Sequence, residues 1–328
     1  MIVVTGANGL LGSYVVRRLV EAKIPFVAMR RESSDISSLA DINNIIQWVE
    51  GDITDPDSLI EIFSKATGVI HTAAVVSYHK QDGEIVKSIN VEGTRNVVNA
   101  CLITGIKRLL HVSSVAAIGK EKGQVYIDET SKWIEGAIVS NYATSKYQAE
   151  LEVWRGQEEG LCTVIVNPSV ILAPTDWDKS SAQLFKYAWQ ERPFFTDGSF
   201  SAVDVRDVAT AIIKLYNSSI EAERFILTAE TISYLDFFTK AANYFGKKPP
   251  SIRVNRKLIQ FAARFDAFRS FLTRSRPLIT KETAHLAGKN FTYSNIKVKK
   301  ALGLEFQSIE NTISWCCGEY RQKISLKK

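Results

Sequence analysis

Tyr142 and Lys146 stand four residues apart in SNYATSKYQAE (140–150). On a helix that spacing puts both side chains on one face, one turn apart. A phenol can give a proton to a developing alkoxide or take one from an alcohol. Its ordinary pKa near ~10 nevertheless makes it a reluctant base at neutral pH, and a neighbouring ammonium favours the phenolate. An isolated Tyr-x3-Lys is equally satisfied by a ring packed over a lysine stem on a helix surface. The pair acquires chemical meaning only from the elements that hold it.

Those elements alternate. IVVT (2–5), FVAM (26–29), GVIHTAA (68–74), RLLHVSS (108–114) and CTVIVNP (162–168) are short β-branched runs of the kind buried in parallel sheets. Between them LGSYVVRRLVEAK, SLIEIFSKA, VEGTRNVVNACLITG and YATSKYQAELEVWRG have helical spacing. The alternation predicts an α/β fold, a Rossmann-type doubly wound parallel sheet with ligands at the carboxyl ends of its strands. After Pro174 the rhythm loosens into SAQLFKYAWQERP, VDVRDVATAIIKLYNS, the strand ERFILT, LDFFTKAANYFGKKPP and a basic, aromatic helical region from Val254 to Leu272. The expected organisation is a dinucleotide-binding domain over 1–168, rejoined by segments at about 200–230. Residues 169–328 then form mostly a smaller, mainly helical substrate-binding domain.

Composition sets outer bounds. The 328 residues are 45% hydrophobic and 23% charged, ordinary globular values, and carry a formal charge of +6. That excess suits an anionic ligand such as a nucleotide phosphate, but no run of basic residues suggests nucleic acid as a partner. No apolar stretch approaches the ~20 residues of an integral membrane segment, and the start MIVVTGANGL lacks a signal-peptide pattern. The expectation is a soluble, cytoplasmic protein. Cys101, Cys162, Cys316 and Cys317 show no metal-ligand spacing and are read as reduced packing residues, with no metal site.

In TGANGLLG, Gly6, Gly9 and Gly12 follow the first strand at once and precede the first helix. Glycines there allow a tight turn and let backbone N–H groups approach a pyrophosphate at the helix N-terminus. Gly6, Asn8, Gly9, Leu10, Leu11 and Gly12 are therefore cofactor-binding candidates.

The GxxGxxG spacing after a leading Thr resembles the short-chain dehydrogenase/reductase superfamily. The chain length resembles its extended branch, the NAD-dependent epimerase/dehydratase group, and the resemblance covers nearly the whole chain. It implies adenine contacts from GDITD (Asp52, Ile53), cofactor contacts from HTAA (Thr72, Ala73, Ala74), and roles for Asn90 in NVEGTRNVV and Pro168 in VIVNPSVILAP. It also makes the end of the second strand the selector between NAD and NADP. Members using NAD usually carry an acidic residue there, whereas AMRRESSD places Arg30 at that point, assisted by Arg31 and Ser33. An arginine can pair with a 2′-phosphate, so NADP(H) is favoured and NAD(H) is the alternative.

The same resemblance implies a Ser, Tyr, Lys triad of Ser114, Tyr142 and Lys146, with Lys146 also bonding the nicotinamide ribose and Ser114 orienting the substrate oxygen. Ser113 would point to the opposite face of its strand. Tyr147 has no lysine four residues later, and His71 and His111 read as strand residues. Asn167 resembles an asparagine that contacts substrate in nucleotide-sugar epimerases, or else ties a strand end to its loop. HVSSVAAIG, KWIEG and VDVRDVATAI look closest to the dihydroflavonol reductase-like subgroup.

The reading is an NADP(H)-dependent oxidoreductase that reduces the carbonyl of a small organic substrate. A nucleotide-sugar epimerase is the alternative, a non-catalytic nucleotide-binding scaffold comes third, and a homodimer is the assembly considered. A 4,6-dehydratase is disfavoured because Val115 and Ala116 stand where such enzymes carry an acidic pair. Trp133, Trp177, Trp189, Phe194 and Phe195 are candidates for an apolar substrate pocket or for core. Arg264, Arg269, Arg274 and Arg276 form a basic stretch that suits an anionic substrate or a solvated helix face.

Overall fold

All four residues of IVVT are buried, so the strand they form must be covered on both faces. The computed structural model describes residues 1–121, 123–134, 140–255 and 291–325. The first half runs β1 (Ile2–Thr5), α1 (Leu10–Glu21), β2 (Phe26–Arg30), β3 (Trp48–Glu50), α2 (Pro56–Phe63), β4 (Gly68–His71), α3 (Gly83–Lys87), α4 (Gly93–Ile103) and β5 (Arg108–Val112). It continues through β6 (Tyr126–Ile127) to α5 (Asn141–Glu158) and β7 (Cys162–Pro168). The second half comprises β8 (Val170–Leu172), α6 (Ala182–Trp189), β9 (Phe194–Phe195), β10 (Ser199–Asp204), α7 (Val205–Tyr216), β11 (Glu223–Leu227), β12 (Glu230–Ser233), α8 (Tyr234–Phe245), β13 (Ile252–Arg253) and β14 (Thr292–Tyr293). Two more helices follow, Ile296–Leu302 and Ile309–Ser325.

Seven strands form one sheet in the order β11-β7-β5-β4-β1-β2-β3, every neighbouring pair parallel. The order reverses between β1 and β4, which opens a crevice at their carboxyl ends, where Thr5 pairs with Met29 on one side and His71 on the other. Helices cover both faces. α1 and α7 pack on one side through fully buried Val15, Val16, Leu19, Val208 and Ile212, and the α4 and α5 residues Val97, Val98 and Val153 cover the other. Each such aliphatic side chain contributes about 1.5–3 kcal/mol by leaving water.

The C-terminal part adds a three-stranded sheet, β12-β10-β8, beyond the helices expected there. Its core is aromatic: Phe185, Phe237 and Tyr320 are buried between α6, α8 and the helix Ile309–Ser325. β11 then returns to the large sheet. In VDVRDVATAI the first two residues close β10, and α7 begins only at Val205, because the Asp204 carboxylate caps it by accepting the Arg206 amide at 2.8 Å. The helical expectation beyond 255, the Arg264, Arg269, Arg274 and Arg276 stretch, and the last two residues of KWIEG lie outside the described residues.

Candidate active site

The phosphate loop is built from backbone. Gly6 has φ +67°, and a Cβ there would lie 2.7 Å from the Ala73 backbone, while one at Gly12 would lie 2.1 Å from the Gly6 carbonyl. The turn closes with the Gly9 amide donating to the Gly6 carbonyl at 2.9 Å. α1 has no side-chain cap and no acidic residue in its first turn, so its amide groups and positive dipole end face an anion unopposed. Thr72 Oγ1 donates to the carbonyls of Thr5 at 2.7 Å and Gly6 at 3.2 Å, which pins HTAA beside the loop, Ala73 against Gly6 and Ala74 at the surface. The cradle fits a dinucleotide pyrophosphate.

The other candidates lie on the segments around this turn. Asn8 Nδ2 donates to the Asp35 carbonyl at 3.2 Å, Leu10 is half-buried, and Leu11 packs into the core. Asp52 accepts the Thr54 amide and hydroxyl at 2.9 and 2.8 Å, and the buried Ile53 lies over Gly93. Arg30 ends β2 with its guanidinium 5.7 Å above the Trp48 ring and Nη2 3.6 Å from an exposed Glu50 carboxylate. Arg31 and Ser33 are exposed beside it. Asn90 sits in a π-helical turn, Ser88–Glu92, where it accepts the Val75 amide at 2.8 Å and donates to the Val75 carbonyl and to Ser145 Oγ.

α5 begins where Ser140 caps it by accepting the Ala143 amide at 3.0 Å, so Tyr142 lies in its first turn at the carboxyl edge of the sheet. The Ser114 hydroxyl lies near enough to the Tyr142 phenol to act on it, without a well-formed hydrogen bond between them. Burial raises the phenol above its ordinary value, and Ser114 opposes that rise. Lys146 acts elsewhere: its Nζ donates to the Val112 carbonyl at 2.8 Å. Burial pulls that ammonium down to about 8, against the pull of Glu150. Here the phenol is set by burial and Ser114 rather than by the lysine, which keeps it protonated.

Ser114 Oγ also accepts the Ala116 amide at 3.1 Å, while the buried Ser113 turns the other way, toward Glu150, without a well-formed hydrogen bond. Pro168 is buried at the end of β7. Asn167, with no exposed surface, donates through Nδ2 to the Ser114 carbonyl at 3.0 Å and to Glu150 Oε1 at 2.5 Å. His71 and His111 lie beneath, rings 5.1 Å apart and wholly buried. His71 bridges Thr5 and Thr94 at 2.7 and 3.0 Å, and burial takes it down to about 3. Sequence reasoning passed over Glu150 and its partner Arg224, although Tyr142, Lys146 and Glu150 recur at four-residue spacing on one face.

Aromatic residues divide between core and cleft. Trp133 stacks on Tyr147 at 4.4 Å, Trp177 stacks on Tyr320 at 4.2 Å and meets Trp189 at 6.2 Å, while Phe194 and Phe195 form the outlying β9. The ring nearest the phenol is Tyr78, edge-on to Tyr142 at 5.6 Å, and Tyr293 is close enough to Tyr78 to feel its charge. Lys120 Nζ lies 4.6 Å over Phe291 and 5.4 Å over Tyr293. Among the described residues no cluster of His, Cys, Asp and Glu could hold a metal, and no helix is long and apolar enough to cross a membrane.

The NAD dependent epimerase/dehydratase family model matches residues 2–226, the span that contains the glycine turn, Ser114, Tyr142 and Lys146. The chain belongs to this family. As an extended short-chain dehydrogenase/reductase it is an NAD(P)-dependent enzyme. This epimerase/dehydratase-family chain is 30% identical over 320 residues to a Synechocystis protein provisionally assigned as a dihydroflavonol 4-reductase, covering 95% of this chain and 92% of the relative. It is 26% identical to cinnamoyl-CoA reductase 1 of Petunia hybrida, over 76% and 78% of the two chains. The crystal structure of gox2253 superposes with a TM-score of 0.85 at 30% identity, with 98% of each chain covered. UDP-glucose 4-epimerase of Thermotoga maritima, solved with UDP-glucose, superposes at 0.79 with 19% identity over 98% and 99%, a likeness of fold.

Proposed function

We propose that this enzyme is an NADPH-dependent carbonyl reductase in which Tyr142 is the proton donor. The observation that carries the reading is the buried phenol of Tyr142, raised above its ordinary value by that burial, beside Ser114 at the carboxyl edge of the sheet. Gly6, Gly9, Gly12 and the α1 N-terminus would hold the pyrophosphate, with Asn8, Leu10 and Leu11 around it. Asp52 and Ile53 would meet the adenine, and Thr72, Ala73, Ala74, Asn90 and Pro168 the remaining length. When bound, the nicotinamide supplies hydride to a carbonyl carbon.

The protein's own groups do the rest. Ser114 Oγ orients the substrate oxygen, and Tyr142 Oη gives that oxygen its proton as negative charge develops on it. Lys146 Nζ, which donates to the Val112 carbonyl, is the group that would hold the nicotinamide ribose, and it would supply a positive charge on the same face of α5 as the phenol. Arg30 supports NADPH, since its guanidinium has only the distant Glu50 carboxylate as an ionic partner and its Nε has none among the described residues.

Tyr78, edge-on to Tyr142 at 5.6 Å, gives the phenol an aromatic neighbour, which favours a planar, conjugated carbonyl substrate. The names of the relatives, a dihydroflavonol reductase and cinnamoyl-CoA reductases, point the same way. Asn167 supports the reductase over an epimerase, because its Nδ2 is committed to Glu150 and the Ser114 carbonyl. The test is a panel of aromatic aldehydes and ketones followed by NADPH oxidation, run beside UDP- and dTDP-sugars analysed for epimers. Oxidation with the carbonyl compounds supports the reductase; epimer formation without net NADPH loss overturns it.

A further inference from the structure

Ser114, Tyr142 and Lys146 leave a buried carboxylate of this region, Glu150, without a task. Glu150 stands one helical turn beyond Lys146 on α5 and is 1% exposed. Burying a carboxylate costs several kcal/mol unless well-placed partners offset it, and an apolar side chain would fill the same place more cheaply. The arginine that faces it does not require it: Arg224 already donates to the Glu129 carbonyl at 3.0 and 2.6 Å and to the Ser131 carbonyl at 3.1 Å, and reaches Glu150 only at 3.4 Å. The closer bond runs toward the active site. Asn167 Nδ2 lies 2.5 Å from Glu150 Oε1 and 3.0 Å from the carbonyl of Ser114, so one amide nitrogen joins the carboxylate to the peptide that carries the hydroxyl beside Tyr142.

We propose that Glu150 is a positioning residue of the active site. Its carboxylate holds the charge of Lys146 from the turn below and, through Asn167, fixes the Ser114 peptide so that its hydroxyl stays on the phenol side.

The surroundings of Lys146 support this. Tyr142 and Glu150 flank it on α5, His71 on β4 and His111 on β5 lie beneath it, and Arg224 on β11 stands beyond Glu150. Both histidines are driven neutral by burial, and the phenol is raised, so neither ring pair nor phenol supplies an anion at neutral pH. Among the described residues Glu150 is the anion that acts on Lys146, and it acts to keep the ammonium protonated against burial. Burial also raises Glu150 itself; Ser113, Arg224, Asn167 and Lys146 oppose that rise.

The part played in turnover rests on the reductase reading, whereas the charge coupling does not, and the experiment separates them. Lysine labelled with 13C at Cε is titrated by NMR in the wild type and in Glu150→Gln, the Lys146 signal being assigned by its loss in Lys146→Arg. The expected result is a Lys146 midpoint near 8 in the wild type and a fall of about one unit or more without the carboxylate. The alkaline limb of the kcat profile should move down with it, at unchanged KM for NADPH. If Glu150→Gln fails to fold, Glu150→Asp, which keeps the charge but withdraws it by one methylene, is titrated instead, with a smaller fall in the Lys146 midpoint expected. An unmoved Lys146 midpoint in the soluble variant overturns the proposal. Absence of turnover in the wild type, with the midpoint shifted as expected, leaves the coupling standing and removes the reductase reading.

Discussion

The two walls of the crevice are made of different material. On the β1, β2 side the recognition groups are main-chain amides around Gly6, Gly9 and Gly12, and the buried packing beneath them is aliphatic. On the β5, β7 side a lysine, a glutamate, a tyrosine and two histidines are all at least nine-tenths buried within a few turns of one another. Backbone amides need little from their environment to bind an anion, because their direction is fixed by the turn. Ionisable side chains take their properties from what surrounds them: burial, aided by Lys146, sends His71 to about 3, and burial opposed by Glu150 leaves Lys146 at about 8. One wall is therefore suited to holding a ligand and the other to moving a proton.

That division can be broken by mutation. The largest effect is expected from Tyr142→Phe, which removes one hydroxyl from the proton-moving wall. kcat should fall by about 10²–10⁴-fold while NADPH affinity, read by fluorescence titration, stays within about twofold, well under 1 kcal/mol. Loss of binding with the chemistry intact would invert the two walls. A smaller effect is expected from Arg30→Asp on the holding wall. NADPH affinity should weaken by about tenfold to a hundredfold, the value of one or two charge-assisted hydrogen bonds, with NADH much less changed. Equal losses for both cofactors would remove Arg30 as the selector.

The smallest effect is one of stability. His111 has both ring nitrogens buried without a partner among the described residues, and its folded pKa lies well below the ordinary 6.5. Because the unfolded chain binds the proton first, the stability this neutral ring supports is complete above 6.5 and is lost as pH falls toward the folded value. His111→Leu, measured by urea unfolding at pH 7 and pH 5, should therefore retain about 2 kcal/mol more of its stability on acidification than the wild type. A parallel fall in both proteins would show that His111 is not buried neutral.

The same contrast explains what could be read from the amino-acid order. β1, β4, β5, β7 and β11 each contain consecutive buried apolar residues rich in Val, Ile and Leu, and β2 a buried Val-Ala-Met, and such runs announce themselves. β3 escapes because WVE is three residues long with a half-exposed pattern, and β10 because SFSAVD interleaves Ser and Asp with its apolar residues and merges into the cap of α7. The glycine turn was legible because its spacing is its mechanism. The charged wall was legible only in part: Tyr142 and Lys146 carry a spacing, but nothing in QAELE says that Glu150 is buried, or that Arg224, 74 positions away, comes to meet it. Burial of a charge is a property of the assembled sheet, set by which strands become neighbours.

The central claim is that this crevice reduces a carbonyl with a proton from Tyr142. It is tested most directly with NADPH deuterated at C4 and the best carbonyl compound from the panel, the product being analysed by mass spectrometry and NMR. The expected product is an alcohol carrying one deuterium on its carbinol carbon, with one NADP⁺ formed per product, and its formation by Tyr142→Phe is slower by about 10²–10⁴-fold. An isomerised nucleotide sugar that gains no deuterium, formed without release of oxidised cofactor, would contradict it.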